Sequence, residues 1–197
     1  MVIKRSKRIK NIPAADQIKS EILRVKYKRK YKQVLKSTVY ALVVVAAAAV
    51  LIATMILPVL QISGSSMEPT LNDEEIVVLM KTTELDRGEL CCFSYQNKLL
   101  IKRVVGLPGD KVDMKEDGTI FINDEKLDEP YVSDLAYGEC DITFPCYVTD
   151  NHYFVLGDHR TTSIDSRSSV IGLVSEDFVV GKMFLRVWPF EAFGFVD

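Results

Sequence analysis

Histidine is nearly missing from this chain of 197 residues: only His152 and His159 occur, alongside four cysteines. No Cys/His spacing fits a zinc site, so the sequence calls for no metal and no cofactor. Acids are scarce at the start, where residues 1–36 hold 13 Lys/Arg against Asp16 and Glu21, a balance of +11. The remaining 161 residues carry 12 basic and 25 acidic side chains, a balance of −13. Such polarity points to different surroundings for the two parts. Charge is absent altogether over the 31 residues from Ser37 to Met67, which excludes a simple soluble protein. There is no internal repeat, and no helical periodicity of useful length follows Leu60.

What fills the uncharged stretch is VYALVVVAAAAVLIATMIL, Val39–Leu57, whose only polar groups are Tyr40 and Thr54. As a helix it crosses roughly 30 Å of hydrocarbon. A cleaved signal peptide is the competing reading, but a basic lead of 36 residues is too long for its n-region. The expectation is a retained single span over 37–60, with the basic segment 1–36 cytoplasmic and residues 61–197 extracytoplasmic. Ile18, Ile22, Leu23, Val25 and Tyr27 lie among the basic residues, so 14–36 either rests on anionic membrane lipid or serves only to orient the span. A juxtamembrane position favours lipid over nucleic acid, which is not an expected partner.

Residues 61–197 suffice for one core. Strands are expected at Glu75–Met80, Leu90–Tyr95, Lys98–Val105, Lys111–Lys115, Thr119–Ile122, His152–Leu156 and Met183–Trp188, with a hairpin turn at Asp117-Gly118. The fold class is therefore mainly β: an antiparallel β domain behind one N-terminal transmembrane helix, with a small accessory insertion at about 111–151. Cys91 and Cys92 are adjacent in a strand and must face opposite ways. Cys140 and Cys146 flank a five-residue loop and are either a disulfide or two free thiols.

Three segments could carry chemistry. Ser63-Gly64-Ser65-Ser66-Met67-Glu68-Pro69-Thr70 combines small residues with a stiffening proline, which suits either a flexible linker or an accessible hydroxyl nucleophile at Ser66. In Leu99–Gly106, alternation puts Lys102 on one face with Leu100 and Val104. There it is either an edge lysine blocking strand pairing or an amine whose pKa desolvation lowers into general-base range. Gly157–Arg167 is dense in charge and hydroxyls, and reads as a solvated loop or as an extended stretch that lines up Ser163, Asp165 and Arg167. In the extended form Asp165 pairs with Arg167 and Ser163 meets a neighbour such as Lys102. His159 invites a Ser-His-Asp triad, although a lone loop histidine is more often structural.

Together these segments resemble the bacterial type I signal peptidases, membrane-bound Ser/Lys endopeptidases that remove signal peptides from exported proteins. Ser66-Met67-Glu68-Pro69-Thr70-Leu71 is similar to the S-M-x-P-T-L box, and Ile101–Asp110 to the K-R-V-x-G-L-P-G-D box. Gly157–Arg167 is similar to G-D-N-R-x-x-S-x-D-S-R. Asn123, Glu129-Pro130-Tyr131 and Trp188-Pro189-Phe190 add to the likeness, which covers about residues 34–197. The resemblance implies Ser66 as nucleophile and Lys102 as general base, with Ser163 orienting the lysine and Asp165–Arg167 as a structural ion pair. It also implies an acyl-enzyme, substrates with Ala-x-Ala-like cleavage sites, and an oxyanion hole from the Ser66 N–H with a Gly64 or Ser65 group. The substrate is expected to lie extended against a strand edge such as Glu75–Met80. Trp188, Phe190, Phe193 and Phe195 either dip into the membrane interface or pack in the core.

Two departures stand out: His159 replaces the usual asparagine, and Gly64 sits where some members carry a serine. Lys102, where the endoplasmic-reticulum branch has histidine, implies the bacterial mechanism. The rival readings are a catalytically silent assembly chaperone, a self-cleaving Ser/Lys regulator, and a narrow peptidase for a pilin or conjugation substrate. Intact Ser66, Lys102, Ser163, Asp165 and Arg167 count against the first, and the membrane anchor against the second.

Overall fold

The computed structural model describes residues 14–196, and the chain divides near Ile52 into a helical unit and a β unit. Helix α1, Ala15–Ile56, is one uninterrupted run of 42 residues. Ala, Val, Leu and Ile sustain it, and it stops two residues before Pro58, whose ring disfavours helical geometry in the residue ahead of it. Its apolar part, with mean hydropathy 2.2 over 18 residues, is long enough to cross a membrane. The helix thus ends earlier than the expected boundary at 60, and the next residues pair as a strand.

The strands are β1 (Val59–Gln61), β2 (Ile76–Met80), β3 (Leu90–Tyr95), β4 (Lys98–Gly106), β5 (Lys111–Met114) and β6 (Ile120–Ile122). They continue as β7 (Glu125–Lys126), β8 (Cys146–Tyr147), β9 (His152–Leu156), β10 (Val174–Ser175), β11 (Val179–Trp188) and β12 (Gly194–Phe195). The larger sheet has the order β1-β2-β11-β3-β4-β9-β10, with β12 added to β11. A smaller sheet, β7-β6-β5-β8, occupies 111–147. Every pairing is antiparallel. All seven expected strands form, although β11 starts four residues earlier than expected.

Unbroken apolar runs in the central strands reflect burial on both faces. Cys91 packs in a cluster with Phe93 and Val104, while Cys92 faces another with Val77 and Leu79. On β9, Tyr153 and Val155 join the first of these, and Phe154 and Leu156 join a third cluster under the small sheet. The β5–β6 turn is at Asp117-Gly118 as expected, with Gly118 at φ 85 and the turn packed against Ala136. Cys140 and Cys146 are free thiols.

Phe154 lies at the seam between the sheets, stacked edge-on to Phe144 with ring centroids 6.1 Å apart. Phe154→Ala should destabilise the β unit by about 3–5 kcal/mol, read as a lower denaturation midpoint of the detergent-solubilised chain. An unchanged midpoint would contradict this packing.

Candidate active site

Ser66 sits in a tight turn after β1. Glu68 N–H donates to Ser65 O (3.1 Å) and Leu71 N–H to Met67 O (2.9 Å). Met67 and Leu71 are buried in the core and pin the turn from below, leaving Ser66 half-exposed between them. On β4, alternation aims Lys102 along the face it shares with Leu100 and Val104. Its Nζ lies 2.7 Å from Ser66 Oγ, and the residue is only 4% exposed. Burial pushes its pKa below the ordinary amine value; the Asp165 and Asp158 carboxylates oppose this and Arg167 adds to it. As an ammonium, Lys102 donates to the serine oxygen; as a neutral amine, it can accept the serine proton. Across the strand pair sits Cys91, a thiol that burial pushes up to about 12, so it brings no charge.

The Gly157–Arg167 segment is not extended, and its charged residues Asp158, Arg160, Asp165 and Arg167 are buried while Thr161, Thr162 and Ile164 are exposed. It coils through turns, with Thr162 and Ser163 N–H groups both donating to His159 O. Asp165 and Arg167 do pair, in a two-pronged contact at 2.8 Å and 2.8 Å, but within a turn and not along a strand. Asp165 also accepts the Gly157 N–H (3.0 Å), and Arg167 donates to Tyr137 O (2.8 Å) and Arg160 O (2.9 Å). Ser163 Oγ is buried beside the site and has no hydrogen-bond partner among the described residues, so the hydrogen bond expected to Lys102 is not formed in this structure.

A second buried network escaped the sequence. Arg103, next to Lys102, donates to both oxygens of Asp158 (2.9 and 2.8 Å), and Thr70 O–H donates to Asp158 Oδ2 (2.6 Å). Its guanidinium stacks 3.9 Å above the Tyr131 ring. Tyr131 O–H donates to Glu129, which Arg160 grips at 2.6 Å, and Arg160 donates to Gly157 O. An arginine inside an otherwise apolar strand was the available signal, since a buried charge needs a partner.

The family described as "Signal peptidase, peptidase S26" matches residues 35–188, a stretch that contains every residue named above for this site. The chain belongs to this family. Signal peptidase IB of Staphylococcus aureus strain Mu50 is 41% identical over 152 residues, covering 67% of this chain and 78% of the relative. Signal peptidase I of Bacillus amyloliquefaciens is 34% identical over 162 residues, covering 77% and 86%. A signal peptidase I of Enterococcus faecalis V583, known from a crystal structure, is 30% identical and covers 50% of this chain and 96% of that one, with a TM-score of 0.43. The protein is thus a serine endopeptidase of the signal peptidase I kind.

Two expectations about the surroundings of Ser66 change. The Gly64 N–H is taken by Asp73 Oδ1 at 2.9 Å, so it is not a free oxyanion donor. Among the described residues the Ser66 N–H has no such partner. Nor is β2 an edge, because β1 and β11 flank it. The free edges beside Ser66 are β1 and the Lys98–Lys102 half of β4, since β9 covers only Arg103–Gly106. Between them runs a cleft of about 370 Å³, lined by Leu60, Ile62, Met67, Ile101 and both Ser66 and Lys102.

His159 lies against both carbonyls beside Ser66: its backbone N–H donates to Ser66 O (3.2 Å), and its ring Nδ1 lies 3.3 Å from Ser65 O. The Ser65 carbonyl belongs to the same planar peptide as the Ser66 N–H, so restraining one orients the other. His159→Ala should lower kcat on the order of tenfold with KM little changed, less than the 10²–10³ for deleting such a donor outright, and His159→Asn should recover most of it. Equal losses in both variants would contradict this role. Gly157 is a second position the sequence did not single out. A Cβ there would lie 2.2 Å from Ser163 Oγ and 2.6 Å from Ser66 O. Gly157→Ala should therefore cut kcat/KM by roughly 10²-fold by displacing Ser66, and a fully active variant would refute this close approach.

Proposed function

We propose that the chain is a membrane-anchored peptidase that removes signal peptides from exported preproteins, with Ser66 as nucleophile and neutral Lys102 as general base. The observation that carries this reading is the 2.7 Å Nζ–Oγ approach made by a lysine with almost no access to water. Lys102 takes the Ser66 proton while Oγ attacks the scissile carbonyl. The Ser66 N–H stabilises the oxyanion, the C–N bond breaks, and the proton passes from Nζ to the leaving amine. Water then hydrolyses the acyl-enzyme, with Lys102 as base again.

The preprotein lies extended between the free edges of β1 and β4, where main-chain hydrogen bonds hold it and the cleft accepts small side chains of an Ala-x-Ala site. Residues 1–36 stay in the cytoplasm, the apolar part of α1 spans the bilayer, and the β unit works outside. The length and hydropathy of α1 support this arrangement. Trp188, Phe190, Phe193 and Phe195 are 47–73% exposed, which argues against core packing and favours contact with lipid.

Cleavage of a purified Ala-x-Ala preprotein in liposomes tests this directly. The parent should cut and Ser66→Ala should not. Lys102→Arg keeps charge but loses a base usable near neutral pH, so its rate should fall by at least about 10²–10⁴-fold. Appreciable turnover by either variant would refute the Ser/Lys mechanism. Because only the neutral amine accepts the proton, kcat/KM should rise with pH through the lowered Lys102 pKa, below the ordinary ~10.4. A limb centred at the ordinary value, or activity that falls as pH rises through this range, would contradict the assignment.

A further inference from the structure

Beyond the cleft, a second cavity of about 370 Å³ borders Lys102. Its walls are mostly apolar: Tyr95 and Leu100 from β3 and β4, and Ile164, Val170 and Ile171 from the loop after β9. Leu99 and Ile101 line only the first cleft and Lys98 only the second cavity, while Leu100 and Lys102 line both. Leu100 and Lys102 thus form a wall common to the two spaces. Ile164 and Val170 are 59% and 61% exposed, large aliphatic side chains left open beside a catalytic centre. The wall is held in place, since Tyr95 O–H donates to Val170 O at 2.8 Å. At the outer end, Lys98 has no carboxylate partner among the described residues.

The chemistry says what should occupy this space. One amine serves as base towards Ser66 and as acid towards the leaving nitrogen: Oγ–C forms, C–N breaks, and the proton carried by Nζ ends on the new amine. The leaving nitrogen must then lie within hydrogen-bond reach of Nζ. With the acyl side of the substrate filling the first cleft, the chain that continues past the scissile bond reaches the second cavity next. Its volume is within the range of ligand pockets.

From this adjacency we infer that the second cavity is the binding site for the leaving segment: it receives an apolar side chain from the first two residues after the cut, against Leu100, Ile164 and Val170. Lys98 at its rim disfavours a basic residue there. This selectivity rests on the signal-peptidase reading above and adds a determinant on the mature side of the cleavage site.

The test uses the full chain in liposomes and preproteins with one signal segment and one Ala-x-Ala site, carrying Ala, Leu, Glu or Lys at the first two positions after the cut. The parent should cleave the Leu substrate about tenfold faster than the Lys substrate in kcat/KM, a ratio expected of one apolar contact. In Val170→Glu that order should invert in favour of Lys, a gain that misfolding cannot produce, with an unchanged denaturation midpoint as the measure of intact folding. Equal rates for all substrates in the parent, or a Leu-over-Lys ratio unchanged in Val170→Glu, would overturn the inference while leaving the function standing. Failure of the parent to cleave any substrate would overturn the functional reading, and the inference with it.

Discussion

The buried contact between Arg103 and Asp158, shared by Thr70, determines how the rest of the site is arranged. It joins a turn that follows β1, the middle of β4 and the loop after β9, segments that lie up to 88 residues apart in the chain. Both charged side chains are nearly closed to solvent, at 3% and 0% exposure. Such a pair adds little net stability compared with apolar packing, but losing one partner leaves a stranded charge at a cost of about 3–5 kcal/mol. Its value is therefore positional. With Arg103 committed to one face of β4, Lys102 must take the other, and a slip of one residue would exchange them.

The same logic extends through the polar interior. Arg160 grips Glu129 and donates to Gly157 O in its own loop, while Arg167 grips Asp165 and donates to Arg160 O and to Tyr137 O of a neighbouring loop. A loop without regular secondary structure leaves many backbone groups unpaired, and these arginines satisfy them. Asp158, Arg160, Asp165 and Arg167 are all buried, so the dense charge after β9 forms the framework of the site and is not a solvated surface. Held between this framework and the β4 strand, the lysine amine has Ser66 Oγ as its hydrogen-bond partner and little water.

Much of this was legible because it is local. Alternation placed Lys102 with Leu100 and Val104, apolar runs marked β3, β4 and β9, and Asp117-Gly118 marked its turn. What was illegible depends on pairings across long stretches of chain. β11 inserts between β2 and β3, which turns the expected edge at 75–80 into an interior strand. β1 was hidden because Val59 and Leu60 prolong the apolar run of the helix, and only Pro58, just ahead of Val59, marks the break. The Gly64 N–H is engaged by Asp73, and the two-residue spacing of Ser163, Asp165 and Arg167 suggested an extended stretch where the chain coils. The Asp165–Arg167 pair survives that change because an aspartate and an arginine two apart can meet in a turn as well as in a strand.

The fold keeps Lys102 short of water, which lowers the affinity of its amine for a proton. Nitrogen-15 NMR of lysine side chains in the detergent-solubilised chain, with the Lys102 resonance assigned from a Lys102→Arg sample, follows that amine directly. A midpoint clearly below the ordinary value of ~10.4 is the predicted result. A Lys102 that titrates at ~10.4 or above would be an ammonium at neutral pH, and the Ser66–Lys102 mechanism would then be wrong.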